Sequence, residues 1–265
     1  VESASLVELM VAPAIQSVAG GFHYTYEVQV QSTSPQSLRT FQLRCPESDT
    51  AIWNLSAIAI DEGDELATRR GTWADQPTCF IPFGAIPLAP GERMRLQLES
   101  SLLPAIGETR GLGAVRGVSW PTTDPIPEND EARAFVRSIQ GFTGGWKSVP
   151  SVIPARDPTT FANPPRGVRE VKQDLARACG DLGWITDPGL CQSLEAKLEA
   201  AARSLRWYMV RRARGQLQSF LNQLDAQHGP ESGKHVNDSA YALLSANVAY
   251  LLERLNEQGL RCVAL

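Results

Sequence analysis

The run GWITDPGLCQSLEAKLEAAARSL, residues 183–205, decides how the chain divides. Within it Leu190, Leu194, Leu198, Ala202 and Leu205 recur at three- and four-residue steps, which puts them on one face of a helix. Pro188 suits the first turn of that helix and Asp187 its N-cap. Upstream, Val168, Val171, Leu175 and Leu182 keep the same spacing. Downstream, Leu217, Phe220, Leu221 and Leu224 form a third stripe, and Leu244, Val248, Leu251, Leu252 and Leu255 a fourth. Gly229-Pro230 ends the third helix, and Asn237 is placed to cap the last. Four apolar stripes with polar backs can bury one another, so residues 167–265 read as an all-α four-helix bundle.

Three runs carry a resemblance: residues 183–205, then QLQSFLNQLDAQHG (216–229) and GKHVNDSAYALLSANVAYLL (233–252). Together they resemble the FIVAR-like helical module found at the C-terminal ends of many secreted bacterial proteins. The resemblance covers about a third of the chain and implies nothing catalytic, because such modules accompany unrelated partners. There is one departure. Where that family usually turns with an Arg-Gly pair, this chain has Trp207-Tyr208. Either an aromatic turn replaces the glycine or two helices run on as one; a single helix of about forty residues is unusual in a compact domain, which favours the turn.

Five cysteines bear on compartment and cross-linking. The absence of a Cys-x-x-Cys pair disfavours a zinc ribbon or a thioredoxin-like centre. The expected pairs are Cys45 with Cys79 and Cys179 with Cys191, and Cys179 with Cys262 is the competing arrangement. Cys262 is otherwise a free thiol or an intermolecular link. Disulfides imply an oxidising compartment, so the expected location is secreted, at or outside a bacterial cell surface.

The first half reads as strands. Phe22, Tyr24, Tyr26, Val28 and Val30 alternate with polar residues over ten positions, the clearest strand signal in the chain. Further strands are expected from Leu38, over 52–60 and 78–83, and through Met94, Leu96 and Leu98 after the Pro90-Gly91 turn. Short strands at this spacing suggest an antiparallel β-sandwich. A long first strand ending in a polar turn, with a later Pro-Gly-Glu turn and alternating strand, resembles the immunoglobulin-like domains of bacterial surface proteins, which implies a fold class and no ligand. The expected organisation is therefore all-β plus all-α: a sandwich over 1–150, a Pro-rich linker over 151–166 and helices over 167–265. Residues 132–142 fit either a helical turn, through Phe135, Val136 and Ile139, or an edge strand that completes the sandwich, through Phe135, Arg137 and Ile139; the strand is preferred.

Composition narrows the functional classes. The 265 residues are 43% apolar with a formal net charge of −4, enough for two cores and not the basic surface of a nucleic-acid binder. No apolar run has the length of a membrane span and no signal sequence is read, so the chain reads as mature and soluble. His23, His228 and His235 lack partners at metal spacing and read as surface residues, so no metal or cofactor is expected. Gly117-Val118-Ser119-Trp120 opens like a nucleophile elbow but lacks its closing glycine. The acidic runs 61–65 and 128–131 do not follow calcium-loop spacing and read as solvated loops. Trp73 and Trp146, read as lying in Gly- or polar-rich loops, are candidates for stacking on a polysaccharide, against the alternative that they fill a core or cover a junction. Leu6, Leu9, Met10, Val11 and Ile15 make the first segment apolar enough to add to a neighbour's sheet edge, or to pair within its own sheet. The resulting expectation is a non-catalytic structural, adhesive or interaction protein, a subunit of an extracellular assembly through its apolar first segment, whose partner is itself or another extracellular protein; a carbohydrate-binding module and an enzyme of unrecognised type are the alternatives.

Overall fold

The computed structural model describes residues 7–45, 51–61, 63–73, 76–82, 88–113 and 146–263, with the side chains at 69–73, 76–77, 80–82, 146 and 258–263 outside that description. Two antiparallel sheets come first. One is ordered β1 (Leu9–Val18), β2 (Gly21–Val30), β7 (Arg93–Ser100), β4 (Ile52–Ala59). The other is ordered β5 (Arg69–Trp73), β6 (Gln76–Pro82), β3 (Leu38–Arg44), β8 (Leu103–Gly113), β9 (Trp146–Arg156).

The alternation in β2 sets the inner face of the first sheet: Phe22, Tyr24, Tyr26, Val28 and Val30 are all buried, and the residues between them are partly exposed. Met94, Leu96 and Leu98 of β7 repeat the pattern opposite them. Gly91 at φ +93° makes the turn into β7, and Glu92 accepts a hydrogen bond from the amide of Ala89 across it. The apolar first segment supplies β1, paired with β2 from Leu9↔Val30 to Val18↔Gly21. It completes its own sheet; Leu6 lies outside the described residues.

Three strands, β5, β8 and β9, fall outside those expected from the sequence. β8 falls in a stretch without alternation because Gly107 and Gly111 interrupt it. A Cβ on Gly111 would collide with the side chains of Leu9 and Leu38, and one on Gly107 with Ile153, so these glycines make room for larger neighbours. β9 runs through the first part of the expected 151–166 linker. Its register sets Pro150 opposite Glu108 and Pro154 opposite Pro104. Among the described residues β9 is an edge strand, where proline's missing N–H removes no ladder bond on the open side. The rest of 151–166 is a 3-10 turn, Pro158–Phe161, and the start of the first helix. Residues 132–142, expected as an edge strand, lie outside the described residues.

The helices are α1 (Pro164–Cys179), α2 (Pro188–Arg206), α3 (Val210–Ala226) and α4 (Asp238–Val263). Asp187 and Asn237 cap α2 and α4 through Gly189 N (2.8 Å) and Ala240 N (2.9 Å). α1 packs on α2 and α4, and α3 on the same two, closing a ring around Leu194, Leu198, Leu217, Phe220, Leu244 and Val248, all fully buried.

The β and helical parts share one core. α4 lies against β1 and β8, and the Tyr250 ring stands edge-on between Phe22 and Phe161, 6.0 Å from each. Beside it Arg156, at the end of β9, donates two hydrogen bonds to Asp174 of α1, at 2.7 and 2.9 Å. The fully buried Asn247 of α4 donates to the carbonyl of Pro104 in β8 (3.1 Å) and to Asp174 (3.4 Å). Burial pushes the Asp174 carboxyl above its ordinary value, and Arg156 opposes that shift.

Candidate interaction site

Both expected cysteine pairs are disulfides. Cys45 and Cys79 join the end of β3 to β6 with Cα atoms 5.6 Å apart, and Cys179 and Cys191 join α1 to α2 at 6.1 Å. The second bond excludes the Cys179–Cys262 alternative. Cys262 falls within α4, and its side chain is outside the described residues.

Trp73 and Trp146 are strand residues, not loop residues. Trp73 ends β5 and Trp146 begins β9, the two edges of the five-stranded sheet. With antiparallel pairing throughout, β5 and β9 run the same way, so the two tryptophans sit at opposite ends as well as opposite edges, roughly 20 Å apart across four strand spacings. Their side chains lie outside the described residues.

The three histidines have local duties. His23 lies 3.9 Å from Glu99, which also accepts from the Trp53 indole. His228 stacks on Tyr241 with ring centroids 4.0 Å apart and bonds Asp238 at 2.8 Å. His235 bonds Thr186 at 3.1 Å. Asp61, from the first acidic run, pairs with Arg93 at 3.2 Å; the run at 128–131 lies outside the described residues. Among the described residues no three His, Cys, Asp or Glu side chains converge as a metal would need. Two clefts remain. One, of ≈ 250 Å³, lies between β1–β2 and α3–α4 with Tyr241, Tyr250 and Asp225 in its wall. Burial, then the hydrogen bond to Asp225, pushes the Tyr241 hydroxyl up. The other, of ≈ 360 Å³, lies over β3 and β8 and includes Arg44, Arg110 and Arg177.

Among the described residues, three of the four exposed large apolar side chains lie together at the turn between α2 and α3. Trp207 closes α2, Tyr208 takes the left-handed conformation at φ +56°, and Met209 opens α3. The aromatic pair is therefore a turn between two helices. Its residues point outward: Trp207 is 75% exposed, Tyr208 91% and Met209 41%. A bulky residue in the left-handed region costs about 1–3 kcal/mol, and glycine would remove that cost.

Arginines surround this tip. Arg203 and Arg206 lie in the last turn of α2, and Arg211, Arg212 and Arg214 lie at the start of α3; all five are exposed. Arg203 reaches Glu199 at 3.8 Å. Among the described residues the other four have no ion-pair partner. α3 carries no acidic residue in its first turn and no side-chain cap, so Arg211 and Arg212 face the positive end of its dipole, with Arg214 just beyond them. Helix stability does not account for them.

The helical part has known kin. Residues 172–253 match the family model of the FIMAH domain. FIMAH is a FIVAR-like module, so the resemblance read from residues 183–252 is correct. The match runs from within α1 to within α4 and takes in the Cys179–Cys191 disulfide and the aromatic turn; it covers about a third of the chain. FIMAH is a non-catalytic module family. A comparison with curated proteins finds no match.

Sequence reasoning located the FIMAH module but not its most exposed part. The signal was present: residues 203–214 hold five arginines and no acid in a chain of net charge −4. The aromatic pair that interrupts this run draws attention first to the backbone turn and not to the charge around it.

Proposed function

We propose that this chain is a secreted bacterial interaction protein without a catalytic role, an immunoglobulin-like β-sandwich carrying a FIMAH four-helix bundle. The FIMAH match to the disulfide-tied helices carries the reading. The strand orders support its β half: β1-β2-β7 and β3-β8-β9 follow the A-B-E and C-F-G orders of immunoglobulin domains, with β4 beside β7 where strand D would lie. Two disulfides suit an oxidising exterior. Because β1 already occupies the edge of β2, the chain needs no neighbour's strand to complete its sheet. Its partner is a different surface, and its own state in solution is monomeric.

Light scattering on the oxidised chain tests the last point. A single species at 28.9 kDa, unchanged by reductant, is expected. Polymers would replace this reading with self-assembly, and their loss on reduction would implicate Cys262.

A further inference from the structure

We infer that the α2–α3 turn docks on an anionic lipid bilayer, with Trp207, Tyr208 and Met209 entering the headgroup region and the surrounding arginines pairing with lipid phosphates. This goes beyond the reading above and does not depend on it: the turn could dock a module of any activity.

Three observations converge. First, the tip is convex and apolar. Three consecutive bulky residues stand out at 75%, 91% and 41% exposure where the chain reverses between two packed helices. Tryptophan and tyrosine partition to the membrane interface, where an apolar ring meets lipid and its polar edge stays wet. Second, the charge is complementary. Five arginines and no carboxylate occupy residues 203–214 although the chain as a whole is acidic, and they come from both helices, so cations flank the tip on two sides. A basic cluster beside an apolar wedge is attracted to anionic headgroups, each cation raising the partition coefficient roughly fivefold. Third, the conformation works against the local fold. Tyr208 sits in a left-handed conformation that glycine adopts freely, and Arg211 and Arg212 sit in a first helical turn that disfavours cations.

Carbohydrate recognition fits this tip less well. A sugar is read by a flat ring on a concave surface beside amide or carboxylate side chains that bond its hydroxyls. Residues 203–214 contain no Asn, Gln, Asp or Glu, and Ser204 is buried and bonded to the carbonyl of Ala200.

The test is sedimentation of the full oxidised chain with vesicles of equal parts phosphatidylcholine and phosphatidylglycerol, against vesicles of phosphatidylcholine alone, at low and high salt. Binding is expected to the anionic vesicles only, and salt should weaken it. Replacing Arg211, Arg212 and Arg214 together by glutamine should lower the partition coefficient roughly 100-fold. Trp207→Ser with Tyr208→Gly should lower it roughly tenfold or more. Tyr208→Gly alone serves as the folding control, because release from the left-handed region should hold or raise the melting temperature while vesicle binding weakens. Failure to bind anionic vesicles, or binding indifferent to the aromatic substitutions, would overturn the inference. So would capture by dextran sulfate that depends on the same residues in the absence of vesicle binding, which would mark a polysaccharide site. None of these failures touches the proposal of an extracellular FIMAH protein.

Discussion

Arg156→Met lowers the stability of the chain by about 3–5 kcal/mol, because it leaves the Asp174 carboxylate buried and unpaired. The Asp174 side chain is 7% exposed and that of Arg156 12%, and Asn247 adds only a long third bond at 3.4 Å. The effect depends on pH in a defined sense. Burial raises the Asp174 carboxyl in the folded state above its unfolded value, so the neutral form favours folding. Stability from this group is fully present in acid and declines as pH rises from the ordinary carboxyl value through the folded one. Removing Arg156 takes away an opposing influence and extends that window upward. The deficit of Arg156→Met should therefore be largest at neutral pH and shrink in acid, as read by urea denaturation at both. Adding Asp174→Leu should recover most of the loss, since a buried pair replaced by apolar groups is often close to neutral. An equal deficit at both pH values would mean the pair does not act through its charge.

The Cys45–Cys79 bond is the second large contribution. It closes a separation of 34 residues, and within that loop β4 leaves for the other sheet to pair with β7 before the chain returns as β5 and β6. Chain-entropy arguments assign about 4 kcal/mol to a loop of this size, against about 3 kcal/mol for the 12-residue separation of Cys179 and Cys191. Alanine at both positions of each pair, compared by urea midpoint and slope, should show the larger loss at Cys45–Cys79. The reverse order would place the main constraint in the helical half.

Elements with a regular period and a turn chemistry could be read directly. β2 alternates without interruption, and Asp187-Pro188 and Asn237 name their own helix starts. The turn at Trp207-Tyr208 followed from length alone, but nothing in the pattern announced that both rings would face solvent. β8 and β9 were illegible for opposite reasons. Glycine in β8 reflects the side chains of other strands, which a local window does not contain, and proline in β9 is harmless only because that strand is at an edge. The junction is the hardest case. Arg156, Asp174, Asn247 and Pro104 come from four elements, and Asn247 lies 143 positions from its backbone partner. Each looks like an ordinary surface or helix residue until the fold assembles them.

The reading of the chain as an extracellular interaction protein is tested most directly by sedimenting the labelled, oxidised chain with intact bacterial cells over a range of concentrations. Saturable binding that survives washing, and that weakens when both disulfides are removed, is the predicted result. A chain that stays in the supernatant at every concentration while remaining folded would contradict it.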